Sequence, residues 1–497
     1  MTTRSFHRTA LGLLAILALL AMPALASATK KGGREHVQPP TVSTQLGNLK
    51  QLPGRLGCVA DGPAAKSVCG RARALKGPGP GVGSRAIAIS PDGRSVYVAS
   101  SRSDAIAIFT RDPSTGALRQ LPGKAGCVAA LVAKGKATGR CGLAIGLIGP
   151  NSVAVSPDGR SVYATSHEGS SVTTFHRNRL TGALTQLPPS ASGCISGLPI
   201  PTCTAGRAVK GPDVVVVSPD GKNVYVGAFD GNAVVSFSRA AGSGALTQLS
   251  GSGGCIANGG GEGCAAGVEL ERVEGLAISP SGSSVYAAAA FSSAVDVLSR
   301  NASTGALSQA TDGSGCITNS AVAGCTQGYQ IGGVNALVVA PKSGDVYATS
   351  LTSNSLTTFH PTEGGGLAQP ARPSGENIPP GLGNPSGCAV FLRSPGCSFA
   401  VAMQAPEGLA LSPAGTNVYV TAFETGAIDV FDRSLKTGTV AQKPGEDGCL
   451  APRRVAAFCA RGRALGATGS VVVSPDGRNV YSTAWKSNAV DIFRRIR

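Results

Sequence analysis

One eight-residue phrase recurs seven times along this chain of 497 residues. The first copy reads SPDGRSVY, and the later copies follow at intervals of 66, 62, 61, 61, 72 and 62 residues. A unit that repeats at such a period cannot bury its apolar face alone, so it stacks on its neighbours. The repeat therefore predicts seven similar units. The copies occupy residues 90–97, 156–163, 218–225, 279–286, 340–347, 412–419 and 474–481.

Each repeat contains four short strand signals. In the second repeat they lie at residues 152–155, 161–165, 171–175 and 183–187, with the SPDG turn between the first two. Period-two alternation and β-branched residues indicate strands, and Pro and Gly in the phrase are typical of a tight turn. Four antiparallel strands in each of seven units predict an all-β fold, a seven-bladed β-propeller.

The two ends of the chain predict a closed ring. The last repeat stops before its fourth strand, whereas residues 47–54 (GNLKQLPG) resemble the fourth-strand text GALRQLPG at residues 116–123. The N-terminal segment is therefore expected to supply the missing strand of blade seven, which removes the free sheet edges. The propeller domain is predicted to span residues 42–497.

The N-terminus has the pattern of a secretory signal peptide. Arg4 and Arg8 precede an apolar run, which ends in the small residues Ala-Ser-Ala. We predict a signal peptide at residues 1–28, a polar flexible tether at residues 29–41, and a secreted or extracytoplasmic protein. No second apolar stretch approaches the length of a transmembrane helix, so no transmembrane segment is expected.

The fourteen cysteines fall into seven pairs, one pair in each repeat. Zinc sites of the Cys-x2-Cys kind are absent from the sequence, and an exported protein favours disulfides. We predict seven local disulfides in the connections that lead from the fourth strand of one blade to the first strand of the next. The predicted pairs are Cys58–Cys69, Cys127–Cys141, Cys194–Cys203, Cys255–Cys264, Cys316–Cys325, Cys388–Cys397 and Cys449–Cys459.

The chain is basic, with 44 Lys and Arg against 27 Asp and Glu. Basic residues concentrate in the loops that lead into blades seven, one and two, whereas Glu262, Glu269 and Glu271 precede blade four. Such an arc would steer an anionic extracellular ligand or a cell-wall polysaccharide to one side, and a solvated surface is the alternative. Nucleic acid is excluded by the predicted export and by the lack of a binding motif. A monomer is expected. The basic arc contains Lys66, Arg71, Arg73, Lys76, Lys134, Lys136, Arg140, Arg453, Arg454, Arg461 and Arg463.

The sequences SPDGRSVYVAS and TGALTQL resemble those of the lactonase-type, YVTN-repeat seven-bladed propellers. That family includes 6-phosphogluconolactonases and carboxymuconate cyclases. The resemblance covers the whole mature chain and implies a propeller fold, a functional face at the channel mouth, and lactone hydrolysis as an activity.

A polar position repeats at the start of the first strand, five residues before each phrase. Symmetry should place these residues around the channel mouth. Asp213, Glu274, Asn335 and Glu407 carry the hard oxygen ligands that Ca²⁺ prefers, and Arg85 could hold a carboxylate or polarise a carbonyl. The alternative is that they cap strand ends. The full ring reads Arg85, Asn151, Asp213, Glu274, Asn335, Glu407 and Gly469.

A second ring follows the second strand, four residues after its Tyr. His167 is a candidate general base there, and Phe229, Phe423 and the single Trp485 could form a stacking platform for a sugar or another ring. The alternative is that the aromatic residues pack under the disulfide loops. The full ring reads Ser101, His167, Phe229, Ala290, Leu351, Phe423 and Trp485.

Three functions are open at this stage. The first is a secreted propeller that binds a ligand or partner at the ring face. The second is an extracellular lactonase, in which His167, Arg85, Glu274 or Glu407 would be catalytic. The third is a structural repeat protein of the cell surface.

Overall fold

The computed structural model describes residues 46–79, 85–131, 139–371, 387–452 and 458–496. The predicted signal peptide and tether lie outside these ranges. Among the described residues, no helix has the length and apolar character needed to cross a membrane.

Seven sheets form, one for each repeat, and the prediction of a seven-bladed propeller is confirmed. In each blade, strands A, B and C run antiparallel from the central axis outward, and the Gly of the A–B turn takes a positive φ, +68° at Gly159. Strand A spans Ile87–Ile89, Pro150–Val155, Pro212–Val217, Val273–Ile278, Val334–Val339, Pro406–Leu411 and Thr468–Val473; strand B spans Ser95–Ser100, Ser161–Ser166, Asn223–Ala228, Ser284–Ala289, Val346–Ser350, Asn417–Ala422 and Asn479–Ala484; strand C spans Ala105–Arg111, Ser171–Arg177, Ala233–Arg239, Ala294–Arg300, Ser355–Pro361, Ala427–Arg433 and Ala489–Arg495.

The outer part of each blade is more complex than the predicted single fourth strand. Strand D is broken into D1, which pairs with the end of strand C, and D2, which pairs with its beginning; a short strand E then runs parallel to D2. In blade order one to seven, D1 spans Leu118–Gln120, Leu184–Gln186, Leu246–Gln248, Leu307–Gln309, Leu367–Ala368, Val440–Gln442 and Leu49–Gln51; D2 spans Cys127–Ala130, Cys194–Ser196, Cys255–Asn258, Gly313–Thr318, Cys388–Val390, Cys449–Ala451 and Cys58–Ala60; E spans Gly142–Ala144, Thr204–Ala205, Ala265–Gly267, Cys325–Gln327, Ser398–Phe399, Ala460–Arg461 and Gly70–Arg71.

The seven predicted disulfides are confirmed, and no cysteine of the described residues is free. Each bond joins D2 to the start of strand E, with Cα–Cα distances of 4.7–5.0 Å. The first cysteine of each pair therefore lies within strand D2, not in a loop after strand D. Seven disulfides favour an extracytoplasmic protein. Short helical turns complete the blades: the α-helix Ala64–Ser67 and the 3-10 helices Gly54–Gly57, Ser101–Ser103, Gly123–Gly126, Pro189–Ala191, Gly251–Gly254 and Gly445–Gly448.

The apolar core lies between neighbouring blades. Buried Tyr97 of blade one packs in the same cluster as buried Phe175 of blade two, and the other blade pairs repeat this arrangement. Strand B is buried at every position because both of its faces meet other blades. This explains how a domain of this length forms without one large core.

A set of side-chain hydrogen bonds, called the polar clamp below, joins neighbouring blades where strand C ends beside the A–B turns. The last residue of strand C, Arg177 in blade two, donates from Nε to the Tyr97 hydroxyl at 2.8 Å and from Nη2 to Asp92 at 2.9 Å. The Tyr97 hydroxyl in turn donates to the carbonyl of Gly182 at 2.8 Å. The same Arg–Tyr contact occurs for Arg111–Tyr481, Arg239–Tyr163, Arg300–Tyr225, Arg433–Tyr347 and Arg495–Tyr419.

One junction lacks this clamp. Between blades four and five, Pro361 stands where the other blades have Arg, and Ser281 stands where most have Asp. Tyr286 occupies the tyrosine position there and is buried. Among the described residues, blades four and five are therefore held by apolar packing and by hydrogen bonds such as that from the Gly333 N–H to Ser293 Oγ, without a buried guanidinium.

The ring closes as predicted. Leu49–Gln51 pairs antiparallel with the last strand of the chain, with Leu49 opposite Arg495 and Gln51 opposite Phe493. The Tyr419 hydroxyl donates to the Gly47 carbonyl at 2.9 Å, so the blade six–seven clamp also holds the N-terminal segment.

Candidate functional site

The seven A strands enclose a channel of about 510 Å³. Its wall is mostly Ala, Val, Ile and Leu, and it ends at Pro157, Pro219 and Pro475 of the A–B turns. The last residue of each A strand is partly exposed at this turn end, whereas the predicted polar ring lies at the opposite end, towards the disulfide loops. We call the disulfide-bearing side the crowned face.

The polar ring is more enclosed than the sequence suggested. Asn151, Asp213, Glu274, Asn335 and Glu407 are all buried, with exposed fractions between 0 and 6%. They are thus buried at the starts of the A strands instead of being exposed around an open mouth. The A strands impose this because their first residues converge on the axis.

Asp213 connects the two predicted rings. Its Oδ1 accepts a hydrogen bond from His167 Nδ1 at 2.8 Å and a second from Asn151 Nδ2. The Asp213 side chain is 8% exposed and that of His167 is 37% exposed, so a buried carboxylate orients a partly exposed imidazole. His167 Nε2 lies 3.6 Å from Oδ2 of exposed Asp230. The hydrogen bond to Asp213 raises the pKa of His167, and burial raises the pKa of Asp213 against the effect of that same bond.

Two other buried acids complete the ring. Burial raises the pKa of Glu274 well above its usual range, and the nearby Asp213 charge adds to the effect. Burial and the Glu274 charge do the same for Glu407. Glu274 Oε2 has no hydrogen-bond partner among the described residues. Both shifts favour the protonated form of these carboxyls, so each holds its proton to a higher pH than an exposed glutamate does.

Asn335 and Gly469 have structural contacts. Asn335 donates to the Pro406 carbonyl at 3.0 Å and accepts from Thr349 at 2.8 Å. The Gly469 carbonyl accepts a hydrogen bond from Thr421. Both contacts fit the alternative that these two members of the ring cap strand ends.

The Arg85 side chain extends away from the other residues of the polar ring and across the channel. Its Nη2 donates to the carbonyl of Leu337, on the A strand of blade five, at 2.7 Å. Among the described residues no carboxylate forms an ion pair with it, and burial lowers its pKa to about 10. The guanidinium thus faces the channel cavity and is separate from the His167–Asp213 pair.

The predicted aromatic residues form two groups that also contain cations. His167 packs edge-on against Phe229 with ring centroids 5.6 Å apart, and the Arg272 guanidinium carbon lies 4.9 Å from the Phe229 centroid and 5.0 Å from that of Phe291. Phe291 is 67% exposed. This group, His167, Phe229, Arg272 and Phe291, is the His167 cluster below.

The second aromatic group lies on blades six, seven and one. Phe423 and Trp485 have centroids 6.2 Å apart, and Arg102 covers the Trp485 ring at 4.2 Å. Lys486 lies 5.8 Å from the Phe423 centroid. Since the cation of Arg102 already stacks on Trp485, that face is less open to a ligand than the predicted platform. The remaining members of the second ring, Ser101, Ala290 and Leu351, bring no titratable group.

The described residues contain no group of three or more His, Cys, Asp or Glu side chains arranged to hold a metal. Asp213, Glu274, Asn335 and Glu407 remain the predicted ligands.

Part of the predicted basic arc has a structural role. Arg73 donates to the main-chain carbonyls of Leu121 and Gly123, and Arg463 donates to those of Leu52 and Gly54. Both arginines thus fasten one blade to the next. Exposed members remain at Lys66, Arg71, Lys76, Arg140 and Arg461; Lys134, Lys136, Arg453 and Arg454 lie outside the described residues. On the acidic side, Glu262 pairs with Lys210.

Sequence reasoning placed His167 and Asp213 in separate rings and missed their contact. This contact could have been predicted, because the residue after strand B of one blade lies beside the start of strand A in the next blade. Arg272 was missed because it precedes the repeated polar position by two residues and is Arg in blade four alone.

Comparison with known proteins supports the resemblance inferred from the repeat. Residues 78–133 match the family model described as Lactonase, 7-bladed beta-propeller. No curated protein matches the chain.

Solved structures also match the chain. A putative 6-phosphogluconolactonase of Bacteroides uniformis ATCC 8492 is 19% identical, with 71% of this chain and 82% of that chain covered and a TM-score of 0.48. The periplasmic gluconolactonase of Pseudomonas aeruginosa is 18% identical, with coverages of 71% and 82% and a TM-score of 0.46. The hydrazine synthase of Kuenenia stuttgartiensis is 17% identical, with coverages of 84% and 97% and a TM-score of 0.49. None of these scores reaches 0.5, so none bears on what this chain binds.

Proposed function

We propose that this protein is a secreted propeller that binds an anionic, ring-containing ligand, a sugar acid or an acidic polysaccharide, at the His167 cluster on the crowned face. The observation that carries the proposal is the meeting of an oriented imidazole, an exposed guanidinium and two phenylalanine rings at one place. Arg272 and protonated His167 supply positive charge, and Phe229 and Phe291 supply apolar faces for a ring.

The cluster presents two cationic side chains to an anion, and Asp213, Asp230 and Glu168 are the carboxylates near His167. Asp213 raises the pKa of His167, so the imidazole holds its proton at higher pH than an isolated histidine. Its Nε2–H is then a donor for which a ligand oxygen would compete with Asp230, 3.6 Å away.

Calorimetric titration with gluconate and with galacturonate oligomers tests this binding. We expect saturable binding that Arg272→Gln weakens about tenfold, the effect of losing a hydrogen bond to a charged group. Lys222→Gln, an exposed cation in the same region of sequence but on the turn face, is the matched control and should leave the affinity unchanged. Equal losses of affinity in both variants would show that net charge alone explains the effect. Absence of binding would favour a structural repeat protein.

Lactone hydrolysis is the second candidate, favoured by the orientation of His167. A buried acid that fixes Nδ1 and leaves Nε2 accessible is the arrangement of a general base with its orienting group. In this reaction Nε2 would take a proton from water, the water oxygen would attack the lactone carbonyl carbon, and the ring C–O bond would break. The alkoxide would then receive the proton from His167, giving a hydroxy acid.

A panel of aldonolactones, followed by acid release at constant pH, tests the hydrolase. His167→Gln should abolish turnover if His167 is the base, while Asp213→Asn should lower it and move the acidic limb of the rate profile to lower pH. Turnover that persists in His167→Gln would exclude this mechanism. Removal of Ca²⁺ with a chelator in the same assay separates a metal-dependent reaction from one that uses His167 alone.

A further inference from the structure

The channel itself has the features of a second binding site, on the side away from the crowned face. It is about 510 Å³ in volume, within the range of about 300–1,000 Å³ that is usual for small-molecule sites. Its wall is built from the A strands, whose channel-lining residues are Ala, Val, Ile and Leu at nearly every position. The last residues of the A strands are partly exposed at the turn end, whereas five residues of the polar ring are buried at the opposite end.

Arg85 brings a positive charge into this apolar channel. Arg85 lines the cavity and uses one of its five N–H groups on the Leu337 carbonyl. No ion pair to it exists among the described residues. A guanidinium without an ion-pair partner against an apolar wall is costly, and an anionic group that enters the channel would offset that cost.

The lining of the channel fits a ligand with one charged end. The Arg85 side chain offers positive charge and N–H donors to a carboxylate, and the apolar wall of the A strands offers a surface to a tail. Among the described residues, Glu407 is the other ionisable side chain of this lining.

We propose that the channel binds an amphipathic carboxylate, an unbranched alkyl chain whose carboxylate lies on Arg85 and whose tail extends along the A strands towards the A–B turns. The ligand class follows from charge complementarity at one end and apolar walls along the rest. This site is separate from the His167 cluster, because no residue of that cluster lines the channel.

Titration of the full chain with hexanoate, octanoate and decanoate tests the tail. Burial of each methylene contributes about 0.8 kcal/mol, so affinity should rise by up to about fourfold per added carbon. Decyltrimethylammonium, with the same tail and the opposite charge, should not bind. Affinity that does not depend on chain length, or equal binding of the cationic probe, would overturn the proposal.

Arg85→Gln tests the headgroup. It should weaken decanoate binding about tenfold or more, while the affinity for uncharged decanol stays the same. Arg94→Gln is the matched control, because Arg94 is exposed in the A–B turn of the same blade. A loss in Arg94→Gln equal to that in Arg85→Gln would contradict a specific headgroup site.

A crystal of the wild-type protein with 10-bromodecanoate locates the ligand without any substitution. The bromine signal should lie inside the channel near Pro157, Pro219 or Pro475, and a signal elsewhere overturns the assignment. His167→Gln should bind decanoate as the wild type does. Failure of sugar-acid binding would leave this result unaffected, so the two proposals fail separately.

Discussion

The inter-blade clamp makes a sharp prediction, because one junction of this protein lacks it. Tyr97→Phe removes a hydroxyl that accepts from Arg177 Nε at 2.8 Å and donates to the Gly182 carbonyl at 2.8 Å. Both partners are buried, so a charged donor and a carbonyl lose their partner together. At roughly 1.5–3 kcal/mol for a hydrogen bond to a charged group, we expect a loss of about 3 kcal/mol in the free energy of unfolding.

Tyr286→Phe is the matched control inside the same chain. Tyr286 is buried at the equivalent position, but Pro361 replaces the arginine that would contact it. Tyr286→Phe should therefore lower the free energy of unfolding by about 1 kcal/mol or less, the value for a neutral hydrogen bond. Urea unfolding with the disulfides intact measures both variants, and the slope of the transition should stay the same. Equal losses at the two junctions would refute the claim that the arginine clamp, and not tyrosine packing, holds the blades together.

Three further outcomes are expected. Replacing Cys255 and Cys264 together by Ala should cost about 2.7 kcal/mol in the chain-entropy account of a ten-residue loop, measured by urea unfolding, and a neutral result would contradict it. Deleting residues 42–57 should expose the blade-seven edge and cause aggregation in light scattering, whereas deleting only part of the preceding tether should not. Replacing Glu274 and Glu407 together by Gln should stabilise the calcium-free protein increasingly as the pH rises above about 4.5, because the raised pKa values of the folded state make the wild type lose stability in that direction. The same variant should abolish any rise in melting temperature with Ca²⁺, and a wild-type melting temperature that does not change with Ca²⁺ would contradict the metal prediction.

Much of the fold could be predicted from the sequence repeat alone. Seven phrases, a truncated last repeat and a matching N-terminal segment predicted seven blades and their closure, because the same text must form the same unit. Cysteine spacing predicted all seven disulfides for the same reason. The break in strand D and the parallel strand E were not predictable, since two- or three-residue strands leave no periodicity to detect.

The candidate site was less accessible to sequence reasoning. Repeat positions showed which residues share a ring but not how far each side chain reaches. Asp213 turns to His167 of the neighbouring blade, while Arg85 crosses the channel to Leu337. Arg73 and Arg463 were predicted to belong to a charged surface, but in the fold they donate hydrogen bonds to main-chain carbonyls. In each case the decisive contact joins different blades.

The pH dependence of sugar-acid affinity tests the role of the His167 cluster most directly. Galacturonate-oligomer affinity should be highest while His167 is protonated and should fall as the pH rises through a pKa above the ordinary value of 6.5. Asp213→Asn removes the bond that raises this pKa, so the fall should move to lower pH, and His167→Gln should remove it. An affinity that is flat from pH 5 to 9, or a fall that persists in His167→Gln, would contradict the assignment of this cluster as the binding site.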